Sequence, residues 1–129
     1  MSATVLLIED NEQNRYLLTF LLERSGYRVT SVVDGASALA LVVALRPDII
    51  LLDIQLPGMD GYEVAAALRR MVEVRDTPIV AVTSYAMIGD RERALAAGCS
   101  GYLEKPINPD TFVAEVARFH KPIDRAAAP

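Results

Sequence analysis

Four consecutive apolar residues, Ile49-Ile50-Leu51-Leu52, run directly into a carboxylate, Asp53. A strand with one wet face would alternate apolar and polar side chains. An unbroken apolar run instead reads as a strand buried on both faces, the pattern of parallel sheets covered by helices. Asp53 then falls at the carboxyl end of that strand. The stretch after it, Leu56-Pro57-Gly58-Met59-Asp60-Gly61, has strong turn chemistry. In open α/β sheets ligands bind outside the carboxyl ends of the strands. Two readings of Asp53 stand at this point: a strand-ending residue that caps the next turn, and a carboxylate that emerges into a site.

Similar runs recur along the chain. Thr4 to Ile8 reads as a first buried strand, ending in Glu9-Asp10-Asn11, which suits a strand end and a helix N-cap. Leu17, Leu18, Leu21 and Leu22 mark a helix from Glu12 to Ser25, closed by Gly26. Tyr27 to Val33 is a second strand. Asp34 caps a helix with Leu39, Val42 and Val43 in its stripe, stopped before Pro47. Asp60 caps a helix from Gly61 to about Met71, with Val64, Leu68 and Met71 inward, and Val74 to Thr77 reads as a loop. Ile79 to Thr83 is a fourth strand, and Gly101 to Glu104 a short fifth. A helix over Met87 to Ala97 lies between them, closed by Gly98. Its few large apolar residues predict a loosely held element. Asn108 at N-cap and Pro109 at N1 open a last helix with Phe112, Val116 and Phe119 inward. Five strands alternating with five helices predict a doubly wound parallel sheet with right-handed connections.

Composition narrows the function. The 129 residues suit one domain, 52% of them apolar. A net charge of −4 without a basic stripe argues against nucleic acid as a partner. One cysteine, Cys99, excludes an internal disulfide and reads as a small buried hydrophobe. His120, near a helix C-terminus, has no catalytic partner in the pattern. No apolar stretch is long enough for a signal peptide or membrane span, so a cytoplasmic protein without membrane contact is expected.

The predicted sheet gathers particular residues at one edge: Glu9 and Asp10 after strand one, Asp53 after strand three, Thr83 at the end of strand four and Lys105 just past strand five. Separately, each has an ordinary explanation, as a helix cap, a β-branched strand residue or a solvated lysine. Together, three carboxylates repel one another, and a hard divalent cation relieves that. Oxygen ligands without His or Cys suit Mg²⁺. A carboxylate nucleophile, Mg²⁺, one ammonium and one hydroxyl make a site for a phosphoryl group.

At this point the chain resembles the receiver domains of two-component response regulators. Glu9-Asp10, Asp53 with Leu56-Pro57-Gly58-Met59-Asp60-Gly61, Thr83 and Lys105-Pro106 carry the match, in order, over about Val5 to Phe119. Glu9-Asp10-Asn11 with Asn14, Asp53-Ile54-Gln55-Leu56-Pro57 and Tyr85-Ala86-Met87 look most like single-domain DivK-type regulators and the receiver domains of hybrid kinases. The resemblance implies the flavodoxin-like strand order 2-1-3-4-5. It implies a receiver over 1–121, and the Ala-rich 122–129, ending in Pro, reads as a disordered tail. Asp53 would accept phosphate from a histidine kinase. Asp10 and Asp53 would bind Mg²⁺ directly, Glu9 through a water and Gln55 through its backbone carbonyl. Thr83 and Lys105 would contact the phosphoryl group. Lys105-Pro106 would be a cis peptide, and Tyr102 the aromatic that turns inward when Thr83 moves. Gln55 and Tyr85 would border the phosphoryl group and shield it, giving a phosphorylated lifetime of minutes or longer.

Such a protein is a switch, catalysing only its own phosphoryl transfer and dephosphorylation. Its output would run through protein contacts on the fourth helix, fifth strand and fifth helix, as a monomer or weak homodimer. A phosphorelay shuttle, passing phosphate from Asp53 to a histidine phosphotransfer protein, is the alternative within the family. A Mg²⁺-dependent phosphatase with an aspartyl nucleophile is the alternative outside it. That chemistry usually places a general-acid Asp two residues on, where this chain has Gln55. Flavin or dinucleotide binding is disfavoured because no G-x-G-x-x-G follows the first strand.

Overall fold

A computed structural model describes residues 3–84 and 89–119. Tyr85 and Met87, with Ala86 and Ile88, lie outside the described residues, as do His120 and the 122–129 tail. The strands are β1 (Thr4–Ile8), β2 (Arg28–Val32), β3 (Ile49–Asp53), β4 (Ile79–Thr83) and β5 (Gly101–Glu104). The helices are α1 (Glu12–Arg24), α2 (Gly35–Leu45), α3 (Gly61–Arg69), α4 (Asp90–Ala96) and α5 (Phe112–Phe119). All strand pairs are parallel, in the order β2-β1-β3-β4-β5. Every residue of β3 and β4 is buried, as their continuous apolar runs require.

Side-chain alternation sorts the core into two layers. Leu6, Ile8, Ile50, Leu52, Ile79 and Ala81 pack beneath α2 and α3 and reach Ala94 of α4. Val5, Leu7, Ile49, Leu51 and Val80 pack beneath Leu18, Leu21 and Leu22 of α1 and Phe112 and Val116 of α5. The caps follow local chemistry. Asn11 accepts from the Asn14 N–H, Asp34 from Ser37, and Asp60 and Glu63 form a reciprocal capping box.

Some boundaries differ from the sequence reading. β2 lacks Tyr27 and Val33. The third helix stops at Arg69, and Val72–Val74 forms a 3₁₀ turn with Val74 buried, where a loop was expected from Val74. The Arg69 guanidinium explains this. It donates to the carbonyls of Val74, Arg75, Thr77 and Gly98, so the chain folds back around it instead of continuing the helix. In α2 the buried positions are Gly35, Ala38 and Val42, and Val43 is 42% exposed because it falls off that face. The last helix begins at Phe112. Asn108 instead makes a turn, its side chain accepting from Asp110 N and its carbonyl from Thr111 N and Phe112 N.

Gly61 fixes how α3 meets β3. A Cβ on it would stand 2.5 Å from the Ile54 Cα, a backbone atom that cannot step aside. Gly61→Ala is expected to lower the thermal midpoint by several degrees, from an overpacking cost of about 1–3 kcal/mol. A melt that matches the parent would show that the Ile54 segment yields freely.

α4 is the lightly held element. Among its described residues only Ala94 is buried, and Leu95 is 48% exposed. Arg93 reaches from it to stand 4.2 Å above the Tyr62 ring of α3.

Candidate functional site

Parallel register delivers the strand ends to one level. Ile8 pairs with Leu52, so Glu9 stands beside Asp53. Asp53 pairs with Val82, and Thr83 with Glu104, so Lys105 follows at the same edge. The ladder continues past the strands through Ile54 N to the Val82 carbonyl, 3.0 Å, and Lys105 N to the Thr83 carbonyl, 2.8 Å. The Lys105–Pro106 peptide is cis.

Glu9 and Asp53 are buried, Asp10 is exposed, and one carboxylate oxygen from each lies within 4.8 Å of the others. Lys105 Nζ sits 3.2 Å from Glu9 Oε1 and 3.3 Å from Asp53 Oδ2. The other oxygens are also engaged. Asp53 Oδ1 accepts from Gln55 N at 3.0 Å, and Glu9 Oε2 from Asn11 N at 3.2 Å. Arg15, on the first turns of α1, donates to the Glu9 and Asp10 carbonyls and braces their loop.

Thr83 is buried and Gln55 half-buried, and they meet: Gln55 Nε2 donates to Thr83 Oγ1 at 2.7 Å. Tyr102 is half-buried on β5, opposite Ala81, and packs against the same core layer as Ile50 and Leu52. Cys99 is buried and its thiol is pushed up to about 11, chiefly by burial, so it stays an inert apolar group at neutral pH. The sequence reading placed Gln55 beside the phosphoryl group as a shield but foresaw neither its bond to Thr83 nor the brace from Arg15. The carboxyl-terminal position of both relative to the acidic residues was the available signal.

The residues fit a hard cation. Three carboxylates face one ammonium, with no nitrogen or sulfur ligand among them. Without a metal the excess charge shows in Glu9. Its carboxyl is raised from 4.5 to about 7, first by burial, then by hydrogen bonding to and repulsion by Asp53, against a smaller lowering by Lys105. Folded protein therefore holds this proton more tightly than unfolded protein. Stability should fall as pH rises from about 4.5 through about 7. Thermal melts in EDTA should show that decline, and Glu9→Gln should flatten it. A midpoint that rises over the interval would contradict the assignment.

The sequence profile of the response regulator receiver domain matches residues 5–117, and the chain belongs to that family, the receivers of two-component systems. It is DivK-like. The polar-differentiation response regulator DivK of Brucella anthropi is 42% identical over 119 residues, covering 92% of this chain and 97% of that protein. Among solved structures, the chemotaxis response regulator CheY4 of Vibrio cholerae superposes with a TM-score of 0.88 at 32% identity, over 92% of this chain and 99% of that one. The receiver domain of a Pseudomonas aeruginosa sensor histidine kinase gives 0.86 at 37% identity, over 95% and 100%, and that structure has a magnesium ion coordinated in its active-site cleft. Among the described residues no helix is long and apolar enough to cross a membrane.

Proposed function

We propose that this receiver is a phosphorylation-activated switch acting in the cytoplasm, with Asp53 as phosphoacceptor. The grouping of Glu9, Asp10 and Asp53 within 4.8 Å, with Lys105 3.3 Å from Asp53, carries this reading. An Asp53 oxygen attacks the phosphorus of a kinase phosphohistidine. The O–P bond forms as the P–N bond breaks, and the electron pair stays on the imidazole nitrogen. Lys105 pairs with the transferred phosphoryl oxygens, and Thr83 donates to one of them. Glu9, Asp10, Asp53 and the Gln55 backbone carbonyl would hold Mg²⁺, which when bound neutralises charge on those oxygens.

The response side follows from how the elements are held. Thr83 and Tyr102 lie on the sheet face that α4 covers, and α4 has little buried surface to hold it. A cleft of about 540 Å³ between α4, β5 and α5, lined by Arg91, Tyr102, Glu104, Pro106, Asn108 and Glu115, is the surface offered to a downstream regulatory or phosphotransfer protein. Phosphorylation biases Tyr102 and α4 between two arrangements of that surface.

Radiolabelled acetyl phosphate or phospho-kinase should label the protein in Mg²⁺, and EDTA should abolish the label. Label retained without divalent cation would overturn the reading. A chase in Mg²⁺ should show decay over minutes, and loss within seconds would remove the shielding role of Gln55. Phosphotransfer run in both directions with a histidine phosphotransfer protein separates a terminal switch from a relay shuttle.

A further inference from the structure

The hydrogen-bond polarity around Gln55 restricts which way the Thr83 hydroxyl proton can point. The backbone N–H of Ser84 can only donate, and the amide atom 3.1 Å from it is Gln55 Oε1. That contact orients the amide independently of any choice at its other end. Gln55 Nε2 is thereby turned toward Thr83 Oγ1, 2.7 Å away, and a primary amide nitrogen can only donate. Thr83 Oγ1 must accept this bond, so its single proton is directed to a different acceptor. Thr83 is 1% exposed, so bulk water does not reorient the hydroxyl. The backbone of the same Gln55 donates to Asp53 Oδ1 at 3.0 Å, which ties the amide's position to the carboxylate.

We propose that Gln55 is a positioning residue: its side-chain amide, braced on the Ser84 N–H, presets the Thr83 hydroxyl as a hydrogen-bond donor toward a phosphoryl group on Asp53. The inference rests on the phosphoacceptor reading of Asp53. The amide acts in two ways. It removes the rotamer in which the hydroxyl proton points back at the β3–α3 loop. It also polarises the O–H, because a hydroxyl that accepts a hydrogen bond donates a stronger one. Thr83 Oγ1 is thus faced by a donor, where an acceptor such as glutamate would draw the proton away.

A double-mutant cycle tests it, with beryllofluoride in Mg²⁺ as the phosphoryl mimic and binding followed by NMR of the intact chain. Gln55→Met keeps the length of the side chain and removes both amide bonds. Thr83→Val keeps the shape and removes the hydroxyl. Each is expected to weaken beryllofluoride binding by roughly threefold to tenfold, the size of one hydrogen bond. In the Thr83→Val background, Gln55→Met should change the dissociation constant by less than about twofold, because the group it positions is gone. A packing role for Gln55 would persist in that background, so factors that multiply would overturn the proposal. So would a Gln55→Met single variant that binds like the parent. Circular dichroism melts confirm that the variants fold. Failure of the parent protein to bind beryllofluoride in Mg²⁺ would instead sink the phosphoacceptor reading.

Discussion

Asp53→Asn is expected to reduce labelling by acetyl phosphate or phospho-kinase to background while the protein remains folded. Asparagine keeps the shape and an oxygen that can accept from Gln55 N, now 3.0 Å from Oδ1. It loses the anionic nucleophile, and an amide oxygen does not form an acyl phosphate under these conditions. The Lys105–Glu9 contact at 3.2 Å is untouched. The substitution also removes the second and third causes of the raised Glu9 carboxyl. Melts of this variant in EDTA should therefore decline less with pH than those of the parent. Both readouts come from one protein, and they separate loss of the acceptor from loss of the fold. Stoichiometric label on another residue, Asp10 included, would refute the assignment.

Phe112→Ala is expected to have the largest effect on stability. Among the described residues Phe112 is the largest fully buried side chain, and it opens α5 against Val5, Leu7, Leu51 and Val80. Truncating it removes transfer free energy and leaves a cavity, together about 3–5 kcal/mol. Domains of this size are stable by about 5–15 kcal/mol in total, so the loss is a large share. Urea unfolding should show a lower midpoint at unchanged slope. A change below about 1 kcal/mol would mean that α5 settles onto the sheet and closes the gap. Phe112 also ends the connection that starts at Lys105, so the variant should bind Mg²⁺ and phosphodonors less tightly even where it remains folded.

The ends of β1, β3, β4 and β5 coincide with the apolar runs of the sequence, because such a run stops being buried where a carboxylate, a hydroxyl or a turn begins. β2 is one of the sheet's two edge strands, none of its side chains is fully buried, and its alternation blurs accordingly. The end of α3 was not legible, since it depends on Arg69 gathering carbonyls from as far away as Gly98, a contact 29 residues along the chain. In the site, the grouping of Glu9, Asp10, Asp53 and Lys105 was legible because parallel register alone brings strand ends together. The bond from the Gln55 amide to Thr83 and the brace from the Arg15 guanidinium were not. The direction of a loop or first-turn side chain is set by the partners that it finds, and periodicity does not carry that.

The alternation of the strands makes the sheet a partition. Asp53 continues the row of Ile49 and Leu51, on the side roofed by α1 and α5, whereas Thr83 continues the row of Ile79 and Ala81 and shares its side with Tyr102. On the phosphoacceptor reading proposed above, a chemical event at Asp53 begins in one compartment of the domain and is read in the other. The crossing point is the rim, where the strands stop and Gln55 links the Asp53 carboxylate on one side to the Thr83 hydroxyl on the other. The closely packed interior of the sheet can stay still while the message passes around its edge.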